Sequence, residues 1–151
     1  MIYKQIEEFI VNGNEGLQQI LEELTEEFSL LEEFSDQLKD SDLTGDQLSD
    51  IMSKSTGIWD NLNIVHAVID SHKTKVEGEF YSSRKIEIES KNEKFTDASV
   101  TKEASAHVNP IRRVRNIVEA YLSVADRNIS MIQSRLKYIT ESKKRTNLQE
   151  G

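Results

Sequence analysis

The chain predicts an all-α protein. Apolar residues recur every three or four positions over long stretches, strand-forming segments are sparse, and a single proline stands among the 151 residues. That period marks helices with one buried stripe.

Ile2, Ile6, Phe9 and Ile10 share the face of a first helix, and Asn12-Gly13 is its stop, because glycine takes the left-handed conformation that ends a helix. A second helix, capped near Asn14, carries Leu17, Leu21, Leu24, Phe28, Leu31 and Leu38 in steps of four and three, with Ser35 filling the one gap. Its other faces are mostly glutamate, so the seam reads as coiled-coil-like.

The motif Thr44-x-x-Gln47 reads as a capping box, in which each side chain satisfies the other's backbone N–H. It opens a long third helix with a seam of Leu48, Ile51, Ser55, Ile58, Leu62, Val65, Ile69, His72 and Val76. Thr56-Gly57 is expected to kink or break it. The seam turns polar at Glu79 and Ser83, and Ile86 and Ile88 revive it toward the low nineties. A turn over 94–99 leads into a short helix ending near His107. Asn109-Pro110 sets an N-cap residue before a proline in the first helical position. The last helix carries Val114, Val118, Tyr121, Ala125, Ile129 and Ile132 on one face and frays at Ser142–Arg145.

This pattern divides the chain into an acidic N-terminal helical pair, 1–43, and a long antiparallel helical hairpin, 44–151. Narrow seams on long helices bury little core per residue, so a homo-oligomer is expected; the competing arrangement is a monomeric bundle closed by the N-terminal helices. Ile58, Leu62, Val65, Ile69, Val118, Tyr121, Ile129 and Ile132 are the expected core.

The net charge of −8 is unevenly spread. Residues 1–50 hold 14 acids against 2 bases, residues 51–100 hold 8 against 7, and residues 101–151 hold 5 against 10. Such asymmetry fits either an acidic helix lying against a basic one or a basic end that attracts nucleic acid. Cysteine is absent, which excludes disulfides and thiolate chemistry. No apolar run reaches the roughly 20 residues of a membrane span, and the start MIYKQIEEF lacks the apolar core of a signal peptide. A cytoplasmic location is expected.

Phosphate-binding glycine loops, nucleophile elbows and H-E-x-x-H are missing. His66 and His72 are six apart and share no helix face, and His107 lies on another element, so no metal site is expected. The paired carboxylates read as a solvated face. No enzyme activity, cofactor or small-molecule substrate is expected, and the protein is read as a binder.

Two basic sets remain. One is Lys73, Lys75, Arg84 and Lys85, around the only adjacent aromatic pair, Phe80-Tyr81. Cations interleaved with aromatics suit single-stranded nucleic acid, whose bases stack on rings. The other is Arg112, Arg113 and Arg115; Arg112 and Arg113 open an outward basic stripe that Arg127, Lys137 and Arg145 continue and that Glu119, Asp126 and Glu141 interrupt. Both also fit an ordinary solvated helix face.

The run from Lys75 through Glu79-Phe80-Tyr81-Ser82 to Arg84 resembles the lysine-x-arginine-x-x-aromatic-tyrosine-small-x-basic segment of T-even-type phage recombination mediators, the UvsY-like proteins. Ile129-Ser-Met-Ile-Gln-Ser-Arg135 is similar to the spacing of their C-terminal helix. The resemblance covers roughly residues 58–142. It implies a non-enzymatic, ring-forming protein that loads a recombinase onto single-stranded DNA coated by a single-strand-binding protein. Lys75 would carry over as a DNA contact. The arginine expected two residues later is Glu77 here, which weakens that inference, and the acidic first 50 residues have no counterpart.

The expected function is therefore that of a phage-type nucleoprotein accessory protein, binding single-stranded DNA or its protein coat through those basic sets. The alternative is a helical protein-interaction module, either an assembly component or a DNA-mimicking inhibitor. In that case Glu22, Glu23, Glu26 and Glu27 would meet the partner.

Overall fold

A computed structural model describes residues 3–151. Every element among them is a helix: α1 (Tyr3–Val11), α2 (Gly13–Glu23), α3 (Thr25–Gln37), α4 (Gly45–Ser90), α5 (Asp97–His107) and α6 (Asn109–Glu150). Ile2 lies outside the described residues. The chain forms two compact units. One takes the chain up to Glu23 with Ile64–Glu119, and the other takes Leu24–Asn63 with Ala120–Gly151, so α4 and α6 contribute to both.

In the first unit α1 stops where glycine permits. Gly13 has φ +66, and the Asn12 N–H turns back to the Phe9 carbonyl at 3.1 Å. Helix α2 starts at Gly13 itself, one residue before the expected cap. It then packs so closely on α1 that a Cβ on Gly16 would sit 1.5 Å from the Phe9 carbonyl oxygen. Ile6, Ile20, Val65, Ile69, Val100, Val108 and Val118 fill the interior. Contacts between α4 and α6 run in opposite senses: Glu77 meets Arg112, Asp70 meets Arg115, and His66 meets Glu119.

The second unit is built on α3, the first part of α4 and the last part of α6. The capping box is present: Gln47 N–H donates to Thr44 Oγ1 at 3.2 Å, and Thr44 N–H donates to Gln47 Oε1 at 2.8 Å. Phe28 stacks on Tyr121 with centroids 3.9 Å apart, and seven residues on in each helix Ser35 meets Asn128. The matching steps make α3 and α6 neighbours running in the same sense. Asn128 Nδ2 donates to Ser35 Oγ at 3.0 Å, and Ser35 Oγ donates to the Leu31 carbonyl at 2.9 Å, so the buried Asn128 and its half-buried partner are satisfied. Arg135 closes the end of α3, donating to the Leu38 and Asp40 carbonyls at 3.1 and 2.7 Å. Such a cation serves the orphan carbonyls of a helix C-terminus. Phe28, Leu31, Phe34, Leu48, Ile51, Ile58, Leu62 and Ile132 form the core.

Several expectations need correction. The Leu17–Leu38 seam belongs to two helices, not one: α2 ends at Glu23 and α3 begins at Thr25, and Leu24 between them stays buried and near helical (φ −90, ψ −5) with no breaker to mark it. Helix α4 passes through Thr56-Gly57 without interruption. Thr56 Oγ1 donates to the Met52 carbonyl and Gly57 has open space around it, so nothing there forces a kink. Ile88 is buried but Ile86 is 66% exposed, since two residues on a helix point some 200° apart. Asn109 begins α6 with its side chain accepting from the Arg112 guanidinium at 2.8 Å. Helix α6 does not fray at Ser142 but runs to Glu150. Tyr121 and Ile129 are half-buried, whereas the other six expected core residues are buried.

Candidate nucleic-acid interface

The two basic sets, some 40 residues apart in the chain, meet in the first unit. Lys73 and Arg112 approach opposite oxygens of one carboxylate, Glu77, at 3.6 and 4.0 Å. Arg115 Nε lies 2.6 Å from Asp70, close but poorly aligned for a hydrogen bond, and its Nη2 lies 3.9 Å from Glu119. The Arg112 guanidinium also donates to Ser105 Oγ at 2.9 Å, which ties α6 to α5. Helix periodicity explains the convergence. Residues 70, 73 and 77 lie on one side of α4, and 112, 115 and 119 lie on one side of α6.

Farther along α4, Arg84 donates through Nε to Glu103 of α5 at 2.9 Å and sits 3.1 Å from Glu87. Hydrogen bonds to Glu103 and then Glu87 raise the guanidinium's already high pKa. Glu87, held by Lys91 and then Arg84, has its pKa lowered. Lys85 Nζ stands 5.3 Å from the centroid of Phe95, a cation–π contact. Lys75 is the loosest of the group: its side chain is 72% exposed and Glu79 is 4.0 Å away.

The aromatic pair is engaged within the chain. Phe80 stacks on His107, with centroids 4.5 Å apart and planes at 22°. Tyr81 meets Phe95 edge-on and donates its hydroxyl to the Asp97 carboxylate; that bond raises the tyrosine pKa. Both rings therefore fasten α4 to α5 and to the turn before it. Arg113 stands apart, exposed, beside a cleft lined by Leu17, Leu21 and Pro110.

The four glutamates of the alternative reading are not equivalent. In the first unit Glu22 accepts from Gln18 at 3.4 Å, and Glu23 is exposed. In the second, Glu26 is exposed, while both oxygens of Glu27 accept from Asn61 Nδ2 at 2.8 and 2.9 Å. Glu27 is thus a fold contact.

Sequence reasoning missed His107, Glu103 and Asp97, whose roles depend on where α5 packs. It also missed a cleft of about 560 Å³ between α1 and α4, lined by Tyr3, Glu7, Ile10, Val11, Val68, His72 and Lys75. Burial and then Lys75 lower the His72 pKa, against an opposing pull from Glu79. Among the described residues no helix is long and apolar enough to cross a membrane, and no cluster of three or more His, Cys, Asp or Glu could hold a metal.

The chain matches no protein-family model, no curated protein and no solved structure.

Proposed function

We propose that the protein is a non-catalytic nucleoprotein accessory factor of the recombination-mediator type. It binds single-stranded DNA, or the proteins that coat it, through the α4–α5–α6 surface of the first unit. The observation that carries this reading is the convergence of Lys73 and Arg112 on Glu77, with Lys75 and Arg115 on neighbouring turns. These pairs are half-buried rather than enclosed, and a solvent-screened ion pair is worth about 0–1 kcal/mol, so a phosphate can replace a carboxylate at modest cost. Within the first unit α4 and α6 run antiparallel, as a hairpin requires, and narrow seams on long helices suit a homo-oligomer that repeats this surface along a strand.

Fluorescence anisotropy with a labelled single-stranded oligonucleotide at about 50 mM salt tests the reading. Saturable binding is expected, weakened when Lys75 and Arg112 are both changed to Ala. Absence of binding by an intact, folded protein would reject it.

A second reading has its own support. Six of the seven predicted DNA-contacting cations already hold a carboxylate or a ring within the chain, while Glu23 and Glu26 are exposed. That arrangement suits a helical protein-interaction module. It predicts capture of a partner that is lost on neutralising Glu22, Glu23 and Glu26, with Glu27→Gln instead lowering stability.

A further inference from the structure

The last stretch of α6 has almost no neighbours in its unit. Gly45, the first residue of α4, lies beside Leu136, where a Cβ would come 3.9 Å from Leu136 Cδ2. Beyond that level only the 41–43 turn remains, forming a shallow cleft with Tyr138 and Ile139. From Lys143 onward every residue is exposed, and Tyr138 and Leu148 are 72% and 81% exposed. The helix nevertheless continues to Glu150, some 20 Å past Leu136 at 1.5 Å per residue.

This overhang is basic and unpaired. Lys137, Lys143, Lys144 and Arg145 make no ion pair among the described residues. The rest of the unit is the opposite: Leu24–Asn63 holds ten acids and two bases, whereas Ala120–Gly151 holds six bases and three acids. On α3, Glu26, Ser29, Glu33 and Asp36 form a solvated stripe at helical spacing, continued by Asp40 beyond its end, and all are exposed. The four overhang cations reach none of these carboxylates within their own copy.

We infer that the α6 overhang docks on the acidic α3 stripe of a second copy. Lys137, Lys144 and Arg145, which share a side of α6 with Tyr138 and Leu148, would face Glu26, Glu33 and Asp36, with the two apolar residues supplying further contact. Charge complementarity selects the occupant. Two overhangs side by side would repel, whereas the α3 stripe presents exposed carboxylates at helical spacing on a copy of the same chain. The contact is heterologous, so it repeats from copy to copy and closes a ring or extends a chain. It names the interface of the self-association proposed above and does not depend on nucleic-acid binding.

A charge-swap experiment read by light scattering tests it. One variant carries Lys137→Glu, Lys144→Glu and Arg145→Glu; the other carries Glu26→Lys, Glu33→Lys and Asp36→Lys. Each alone should fall to the 17.3 kDa protomer mass with unchanged helical circular dichroism, and an equimolar mixture should recover a larger species that high salt weakens. A wild type that is itself monomeric would overturn self-association altogether. Assembled wild type with both variants equally assembled would overturn this interface alone, as would variants that lose DNA binding but keep their mass.

Discussion

Three glycines of this chain have opposite energetics, and only the packing distinguishes them. Gly16 faces the Phe9 carbonyl, so an added methyl must push α2 off α1, whereas Gly57 and Gly78 sit in α4 with nothing within 4 Å of an added Cβ. Gly16→Ala should therefore destabilise the protein by about 1–3 kcal/mol through overpacking. Gly57→Ala should stabilise it by about 0.5–1 kcal/mol, the cost of glycine in a helix interior. Urea midpoints of the two variants check both signs at once.

His72 supplies a pH-dependent companion. It lines the α1–α4 cleft with Tyr3 and Glu7 on α1 and Lys75 on α4, with Glu79 also acting on it, and its pKa is lowered chiefly by burial. A histidine harder to protonate in the folded state lets the unfolded chain take the proton first. Its contribution is then complete above the unfolded value of about 6.5 and is lost as pH falls through the window below it. Wild type should lose more stability than His72→Gln between about pH 7 and pH 5, measured as the difference in urea midpoint between the two proteins at each pH. An equal loss in both would show that His72 is not coupled to folding.

At the scale of elements, local chemistry was legible and tertiary chemistry was not. Thr44-x-x-Gln47 is a self-contained circuit of two hydrogen bonds, so its sequence spacing alone identifies it. Thr44→Ala should cost about 0.5–2 kcal/mol, measurable by denaturation, with hydrogen exchange quickening first at the start of α4. The seam from Leu48 to Ile69 was likewise readable, because burial on one face imposes the helical period directly. The break between α2 and α3 at Leu24 left no trace, since a buried leucine of near-helical conformation looks like any other seam position. The role of Asn128 was also hidden. Its polarity on an apolar face makes sense only once α3 brings Ser35 against it. The candidate site divides in the same way. Its cations were identifiable by type and spacing, but their meeting around Glu77 and the capture of Phe80 by His107 required α5 and α6 to be in place.

On the whole molecule, a net charge of −8 opposes a polyanion at long range. The proposed attraction comes from the local cluster in the first unit, where phosphates would displace Glu77, Asp70 and Glu79 from their cations. Binding of that kind is strongly salt-dependent, and the dependence counts the phosphates neutralised, at about −0.7 in log affinity against log salt for each one on a single strand. Changing Phe80 to Ala would lower affinity mainly by loosening α5, because its ring is already stacked on His107. The cations therefore discriminate better than the rings. The decisive measurement is the salt slope of single-stranded DNA binding for wild type and for Lys75→Ala combined with Arg112→Ala. Loss of two phosphate contacts should flatten the slope by about 1.4, read on protein that circular dichroism shows to be folded, since Arg112 also ties α6 to α5. An unchanged slope, or no binding at the lowest salt by a folded protein, would contradict the nucleic-acid account.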